Sequence, residues 1–322
     1  MGTLASLAEI YDRRLETFLG PFAVASAHPS ASAIHDMRVA LKRIRTYFRF
    51  INAIDPDFDA EPAFASARRL FRAAGRVRNL QVIEAKVYEA SRSGALELSE
   101  YYNWLKEAEL GEAERFERAC GRFRKRSLTA VWKPMAAGLE KLGDRRVGIR
   151  MAGRWTASIK EVREERAMRR DVRRLHFLRI RTKEARYTLE ILQECGLTGD
   201  EGAVLNDRLK DVHQPLGRWH DEEVVLESLR EFRKRRGPEP LFSARSYLEF
   251  SRQSRVRKAE DLAAFEAAWA GLVKFLGRGY GRRVLLPLSP SPAPQTPRSP
   301  SDVPPNSDPS GSGSNDSALN HN

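Results

Sequence analysis

Histidine, arginine, lysine and arginine recur twice in this chain at the same intervals: His35, Arg38, Lys42 and Arg45, then His176, Arg179, Lys183 and Arg186. These residue types suit the holding of an anion. Arg offers a planar fork of N–H donors and Lys a compact point charge, and both grip phosphate or carboxylate oxygens. At about 100° per residue the four positions of each set fall on one arc of roughly 80°, and Arg49 joins the first. Met37, Leu41, Ile44, Phe48 and Ile51 form an apolar stripe on the neighbouring arc, so the cations border the buried face. A merely solvated helix sets its cations opposite its core and mixes them with acids one turn away. The first arc has almost no acids, although Glu190 enters the second. Arg43, about 100° off the arc, is expected in solvent. His35 and His176 suit donation to the anion or orientation of an adjacent Arg; the plainer alternative is a histidine satisfied near a helix start.

A second motif follows each first one. Gly75, Arg76, Val77, Arg78 and Asn79 match Gly217, Arg218, Trp219, His220 and Asp221 at almost the spacing that separates His35 from His176. Two motifs recurring in order mark a duplicated unit. Its boundary falls near residues 141–150, giving repeats at about 1–141 and 150–286. Arg76, Arg78, Lys210 and Arg218 are expected to extend the cationic track. Tyr187 is placed either to hydrogen-bond the anion or to pack between helices. Gly75 and Gly217 are expected to permit close helix approach or a helix break.

Helices must position these residues. Up to about residue 286 apolar residues recur at three- and four-residue spacing, as in Leu178, Ala185, Leu189 and Leu192, and alternating β-branched runs are scarce; the fold is read as all-α. Ser30 or Ser32 can cap the first motif helix, with Asp36 in its first turn. Breaks are expected at 28–32, 55–59, 141–150, 194–202 and 236–240. Trp155, Trp219 and Trp269 sit in apolar rhythm and are read as core. The GRGYG stretch at 277–281 is read as a helix C-terminus. Residues 287–322 are rich in Pro, Ser, Gly and Asn and are expected to be a disordered tail.

Lys and Arg number 56 against 43 Asp and Glu, a formal net charge of +13 with an isoelectric point near 10.0. That balance favours polyanionic partners: nucleic acid, acidic lipid or polyphosphate. Cys120 and Cys195 form neither a disulfide framework nor a metal knuckle, which points to a reducing cytoplasm. Charged residues occupy the N-terminal stretch where a signal peptide needs an apolar run, and no membrane span is expected. His213 and His220 share a helix face beside Asp221, but a further ligand at metal spacing is not evident, so no metal or other cofactor is expected. No Walker A sequence, nucleophile elbow or His-Glu-x-x-His helix occurs, and no catalytic residue is assigned.

The quoted residues resemble the CHAD family, the conserved histidine α-helical domain. Its first signature is similar to His35, Arg38, Val39, Lys42, Arg43 and Arg45, and its second to His176, Arg179, Ile180, Lys183, Arg186 and Tyr187. A Gly-x-x-Arg-Asp-x-x-Val element is approximated at Gly75, Arg78 and Val82, with Asn79 where an acid is usual; the counterpart near Gly217 keeps Asp221. The resemblance implies two four-helix bundles related by a pseudo-twofold axis, with the motif helices facing a shared basic groove. It also implies binding of inorganic polyphosphate, in some members at polyphosphate granules. The chemistry is compatible: polyphosphate carries charge at every link and has no bases to read, so a continuous track of Arg and Lys suits it. Two alternatives remain open, a nucleic-acid-binding basic protein and an enzyme of phosphate metabolism acting through His35 or His176. On the lead reading Arg38, Lys42 and Arg45 face Arg179, Lys183 and Arg186 across the bound chain.

Overall fold

Helices occupy nearly all of the described residues, which in this computed structural model are 2–92, 96–164, 172–236, 241–277 and 284–285. They are α1 (Thr3–Ala27), α2 (Ala31–Ile54), α3 (Ala60–Arg92), α4 (Ser99–Arg122), the short α5 (Arg126–Thr129), α6 (Trp132–Leu142), α7 (Asp144–Glu164), α8 (Val172–Glu194), α9 (Asp200–Arg236) and α10 (Leu241–Phe275). Among the described residues there is no strand, only an isolated bridge between Thr198 and Leu285. The expected tail, the break at 237–240 and residues 278–281 lie outside the described residues.

Local chemistry sets the helix ends. Ser30 caps α2, its hydroxyl accepting from the Ala33 N–H at 3.3 Å. The helix begins at Ala31, so Asp36 lies beyond the first turn and the cap rests on Ser30 rather than on an acid. Gly196, at φ +66°, ends α8, and the Leu197 N–H returns to the Leu192 carbonyl at 2.9 Å. The break expected across 141–150 narrows to Gly143 at φ +73°, because α7 starts at Asp144.

The repeats assemble as matching sets. In the first, α1 packs on α2, α2 on α3 and α3 on α4; in the second, α7 packs on α8, α8 on α9 and α9 on α10. Across the pseudo-twofold axis α1 meets α7, α2 meets α8 and α3 meets α9. The apolar cores do not follow the repeat boundary. One core joins residues from both repeats, among them Tyr11, Met37, Phe48, Met135, Trp155, Leu189 and Leu209. Tyr11 and Tyr47 stack within it, their hydroxyls donating to the Leu128 and Leu7 carbonyls at 2.6 and 2.8 Å. The second core also draws on both repeats, setting Ile83, Val87 and Tyr101 against Val225, Phe232 and Phe250. Neither repeat therefore owns a separate core, and residues 1–288 form one compact unit.

The gap between the cores positions the site. Along α3 the first core ends at Val77 and the second starts at Ile83; along α9 the limits are Leu216 and Val225. Arg78, His220, Asp221 and Glu222 lie in these gaps. Glu222 is 1% exposed and binds Lys86 at 2.5 Å and Arg257 at 2.9 Å, tying α3, α9 and α10 together there. Those two cations are thereby compensated by a structural acid. Trp155 and Trp219 are buried, and Trp269 packs partly buried against the first core.

Candidate functional site

The crossing of α2 with α8 brings equivalent residues of the two repeats together at the axis. Lys42 and Lys183 sit within hydrogen-bonding reach of one another, with Arg179 beside Lys42 and Arg38 beside Lys183. Both lysines are half-buried. Burial, joined by the opposing cations, pushes Lys42 down to about 7 and Lys183 down to about 8. A structural lysine pair normally faces carboxylates; this one faces cations. The largest contributions to both shifts come from burial and neighbouring cations rather than from an acid, which leaves a site that gains charge compensation when an anion enters.

Arginines and histidines extend the cluster on both sides. In repeat 1 the Arg38 guanidinium lies over the Phe71 ring at 4.7 Å and donates to the Phe71 carbonyl at 2.8 Å. Burial, then Arg78, depress it to about 10. His35 stands exposed at the margin, its pKa lowered by partial burial and by Arg78. In repeat 2 His176 is likewise exposed and lies against His220, the ring centroids 5.2 Å apart. At positions 79 and 221 the repeats differ by one charge. Asp221 acts on Arg179 and raises its pKa against the lowering by burial, whereas no acid does this for Arg38. Asn79, the counterpart of Asp221, supplies no charge, so the repeat 1 half of the cluster is the more strongly uncompensated.

Gly75 explains how Arg38 reaches its position. A Cβ on Gly75 would stand 2.6 Å from Arg38 Nη1, whereas one on Gly217 would meet nothing within 4 Å. The two glycines occupy equivalent positions but only Gly75 yields space to a cluster residue. Gly217→Ala is therefore expected to stabilise the protein by about 0.5–1 kcal/mol, the helix-interior difference between the residues, with unchanged anion affinity. Gly75→Ala displaces a flexible guanidinium rather than backbone, so stability stays within about 1 kcal/mol of the wild type while affinity falls. Urea melts and anion titrations on the two variants check the contrast; equal affinities would remove Gly75 from the site's construction.

Helix α9 contributes two residues that sequence reasoning left out of the anion site. His213 is surrounded by Lys183, Arg186, Arg179 and Lys42, and burial, then these cations, push it down to about 3. His220, beside Arg179 and His176, is held at about 4, again with burial the larger cause. His213 Nε2, Arg179 Nε and Arg186 Nε are all buried polar atoms without a hydrogen-bond partner. Buried polar atoms in folded proteins are nearly always partnered, so Arg179 Nε and His213 Nε2 mark a place where an entering ligand can satisfy polar atoms, whereas Arg186 Nε has Glu190 at 3.6 Å. The signal for His220 was present in the sequence, because the repeat alignment sets it on Arg78. His213 aligns with Phe71 and carried no such signal. Among the described residues no group of three potential ligands could hold a metal ion; His213 stands among cations, and His220 has Arg179, His176 and Glu223 as neighbours.

Other candidates lie elsewhere. Arg45 turns toward the start of α3, over the Phe64 ring and 3.8 Å from Glu61, with Arg49, Arg68 and Glu184 as its further charged neighbours. Arg186 is not among the main charged neighbours of Arg45, and Glu61 compensates Arg45 in part. Arg49 is bound to Glu184 at 2.6 Å, and Arg43, expected in solvent, reaches Glu190 at 3.5 Å. These two pairs have a common logic: positions 43 and 49 are Arg in repeat 1, and their equivalents 184 and 190 are Glu in repeat 2. The axis pairs 43 with 190 and 49 with 184, so unlike charges clamp α2 to α8. Glu190 is thus part of the clamp as well as lying 3.6 Å from Arg186. Arg76 and Arg218 point to the outer helices, pairing with Glu112 at 2.5 Å and Asp261 at 2.7 Å. Lys210 is exposed on α9. Tyr187 is 3% exposed with Arg186 over its ring at 5.0 Å, the packing alternative.

Comparison with known proteins agrees with this architecture. A crystal structure of the CHAD domain from the plant Ricinus communis superposes with a TM-score of 0.67 at 19% identity, covering 84% of this chain and 92% of that one. PptA from Streptomyces chartreusis gives a TM-score of 0.60 at 16% identity over 84% of this chain and all of that one. Among curated proteins no match is found. The family model of the CHAD domain matches residues 10–230, which takes in both histidine motifs, both glycine motifs and the axis where the lysines meet; the chain belongs to the CHAD family.

Proposed function

We propose that the chain is a non-enzymatic binding module for inorganic polyphosphate, which it scaffolds or localises, in the cytoplasm at polyphosphate granules. One observation carries this reading: Lys42 and Lys183 meet at the axis with cations, not acids, as their strongest charged neighbours, flanked by Arg38 and Arg179. The ligand contacts are Arg38, Lys42, Arg78, Arg179, Lys183, Arg186 and His213, with His35, His176 and His220 at the margin. A chain with charge at every link fits a cluster that runs through both repeats better than an isolated orthophosphate does. Single-stranded nucleic acid fits less well, because its bases need ring faces to stack on. Tyr187 is buried, and the exposed Phe177 ring is covered by Arg181 at 4.7 Å. No helix of the described residues is long and apolar enough to cross a membrane.

The test is competition at fixed salt. Long-chain polyphosphate is expected to bind and to resist displacement by duplex DNA at equal phosphate concentration, with affinity falling steeply as salt rises. Replacing Arg38, Lys42, Arg179 and Lys183 together with Glu abolishes binding at this cluster and preserves helicity. Displacement by DNA would transfer the site to nucleic acid. Metal-dependent release of orthophosphate from polyphosphate, lost in His176→Ala, would establish the enzyme reading instead.

A further inference from the structure

Helix α3 presents arginine on two opposite sides. Arg76 and Arg78 are two residues, about 200°, apart around the helix, so when Arg78 lies in the cluster at the axis Arg76 faces away from it. On that far side α3, α4 and the start of α5 enclose a groove of about 520 Å³. Six arginines line it: Arg69 and Arg76 from α3, Arg115, Arg118 and Arg122 from α4, and Arg124 just beyond. All six are exposed. Glu112 pairs with Arg76 and Arg115, and Glu114 pairs with Arg118 at 3.6 Å. Arg69, Arg122 and Arg124 have no acidic partner among the described residues. Ala65, Ala73 and Ala119 are the small residues of the lining, and Ser127 hydrogen-bonds Ser66 within it.

The duplication supplies a control. If this groove were a by-product of the fold, the second repeat would carry it too. The pairs Arg76–Glu112 and Arg218–Asp261 fix how α4 aligns with α10. In that register Arg115, Arg118 and Arg122 fall on Ala264, Ala267 and Gly271, and Arg69 falls on Asp211. Repeat 2 keeps the structural pair and none of the four surrounding arginines. The cations of repeat 1 are therefore additions to a scaffold that does not need them.

We propose that this groove is a second polyphosphate site, separate from the cluster at the axis; its ligand class rests on the proposed function, its location does not. Forked guanidinium donors from two facing helices suit a short run of phosphate units. The one aromatic residue of the lining, Phe123, is 9% exposed and packed against Phe18 and Phe22, so the groove offers no free ring to a base. A chain held at two places on one molecule is bound more tightly than at either, provided it is long enough to span them.

Calorimetry with tripolyphosphate, too short to bridge, tests this on the full chain. The wild type is expected to bind at two sites. Arg69→Glu, Arg118→Glu, Arg122→Glu retains the axial site and loses the other; Lys42→Glu, Lys183→Glu does the reverse. For long-chain polyphosphate the groove variant lowers the slope of log affinity against log salt by about 2, three contacts at about 0.7 each. Melting curves confirm folding, and Gln at the same three positions serves if the Glu variant does not fold. A wild type with one site, lost in the lysine variant alone, leaves the proposed function standing and overturns this inference. One site lost in the groove variant alone upholds the inference and overturns the axial assignment. Duplex DNA displacing tripolyphosphate from the lysine variant would give the groove to nucleic acid and overturn the ligand assigned here.

Discussion

Lys42→Met, Lys183→Met melts higher than the wild type and binds polyphosphate at least about 100-fold more weakly, because hydrogen bonds to charged groups contribute about 1.5–3 kcal/mol each. The two effects have one source. The lysines meet at the axis with Arg38 and Arg179 around them, so the unliganded protein holds half-buried like charges together. Replacing uncompensated buried charge with apolar side chains of similar length is stabilising by about 1–4 kcal/mol, a rise of several degrees in Tm. The gain depends on pH with a defined sign. Lys42 and Lys183 have folded-state values lowered to about 7 and about 8, below the ordinary lysine value of 10.5. Below about pH 7 both are charged whether the chain is folded or not, and the penalty of holding them together is complete. Between about pH 7 and 10.5 the unfolded chain binds more protons, so wild-type stability contributed by this pair rises with pH. The Tm difference between variant and wild type is therefore largest near pH 6 and shrinks by pH 9. Thermal melts at three pH values, paired with titrations, check it. A variant that melts lower at pH 6 would show the lysines to be structural.

The sequence disclosed the fold class and the repeat because both are written in local period and spacing. Helical rhythm survives in any context, and His35 with His176 can be aligned without coordinates. It also disclosed which helix faces are cationic. It did not disclose which cations are compensated, since that depends on acids distant in the chain. Arg45 and Arg49 look identical to Lys42 on a helical wheel, yet Glu61 and Glu184 neutralise them. Arg76 and Arg218 share a motif with Arg78 and His220 but face the outer helices. His213 was visible as a residue and invisible as part of the cluster, because its neighbours come from α2 and α8 while it lies on α9. The shared cores were hidden for the same reason: periodicity identifies a buried face but not the helix that covers it. The substitution of Glu184 and Glu190 for Arg43 and Arg49 is the exception. It was readable in the alignment, and its meaning as a clamp follows once the axis is known to pair those positions crosswise.

Polyphosphate binding at pH 8 takes up protons, roughly one to one and a half per chain at the axial site. Lys42 is then mostly neutral and Lys183 about half so, given their depressed values. An anion between them removes the reason for the depression, and both regain charge. Phosphates inside the chain stay ionised throughout this range, so the ligand contributes no compensating change. Because the bound state holds more protons, affinity falls as pH rises above about 7. Other groups face the same space: His35, Arg38 and Arg78 from repeat 1, Arg179, Arg186, His176, His213, His220 and Asp221 from repeat 2. The arginines stay charged, and the histidines gain protons chiefly below pH 7, so an uptake measured at pH 8 reports the lysines. Lys42→Arg, Lys183→Arg isolates them, since guanidinium does not deprotonate in this range. That variant is expected to bind polyphosphate with nearly constant affinity from pH 6 to 9 and without proton uptake at pH 8. Calorimetry in two buffers of different ionisation enthalpy measures the uptake directly. Equal uptake in the wild type and the Arg variant would mean that the proton goes elsewhere and that the lysine pair is not where the chain binds.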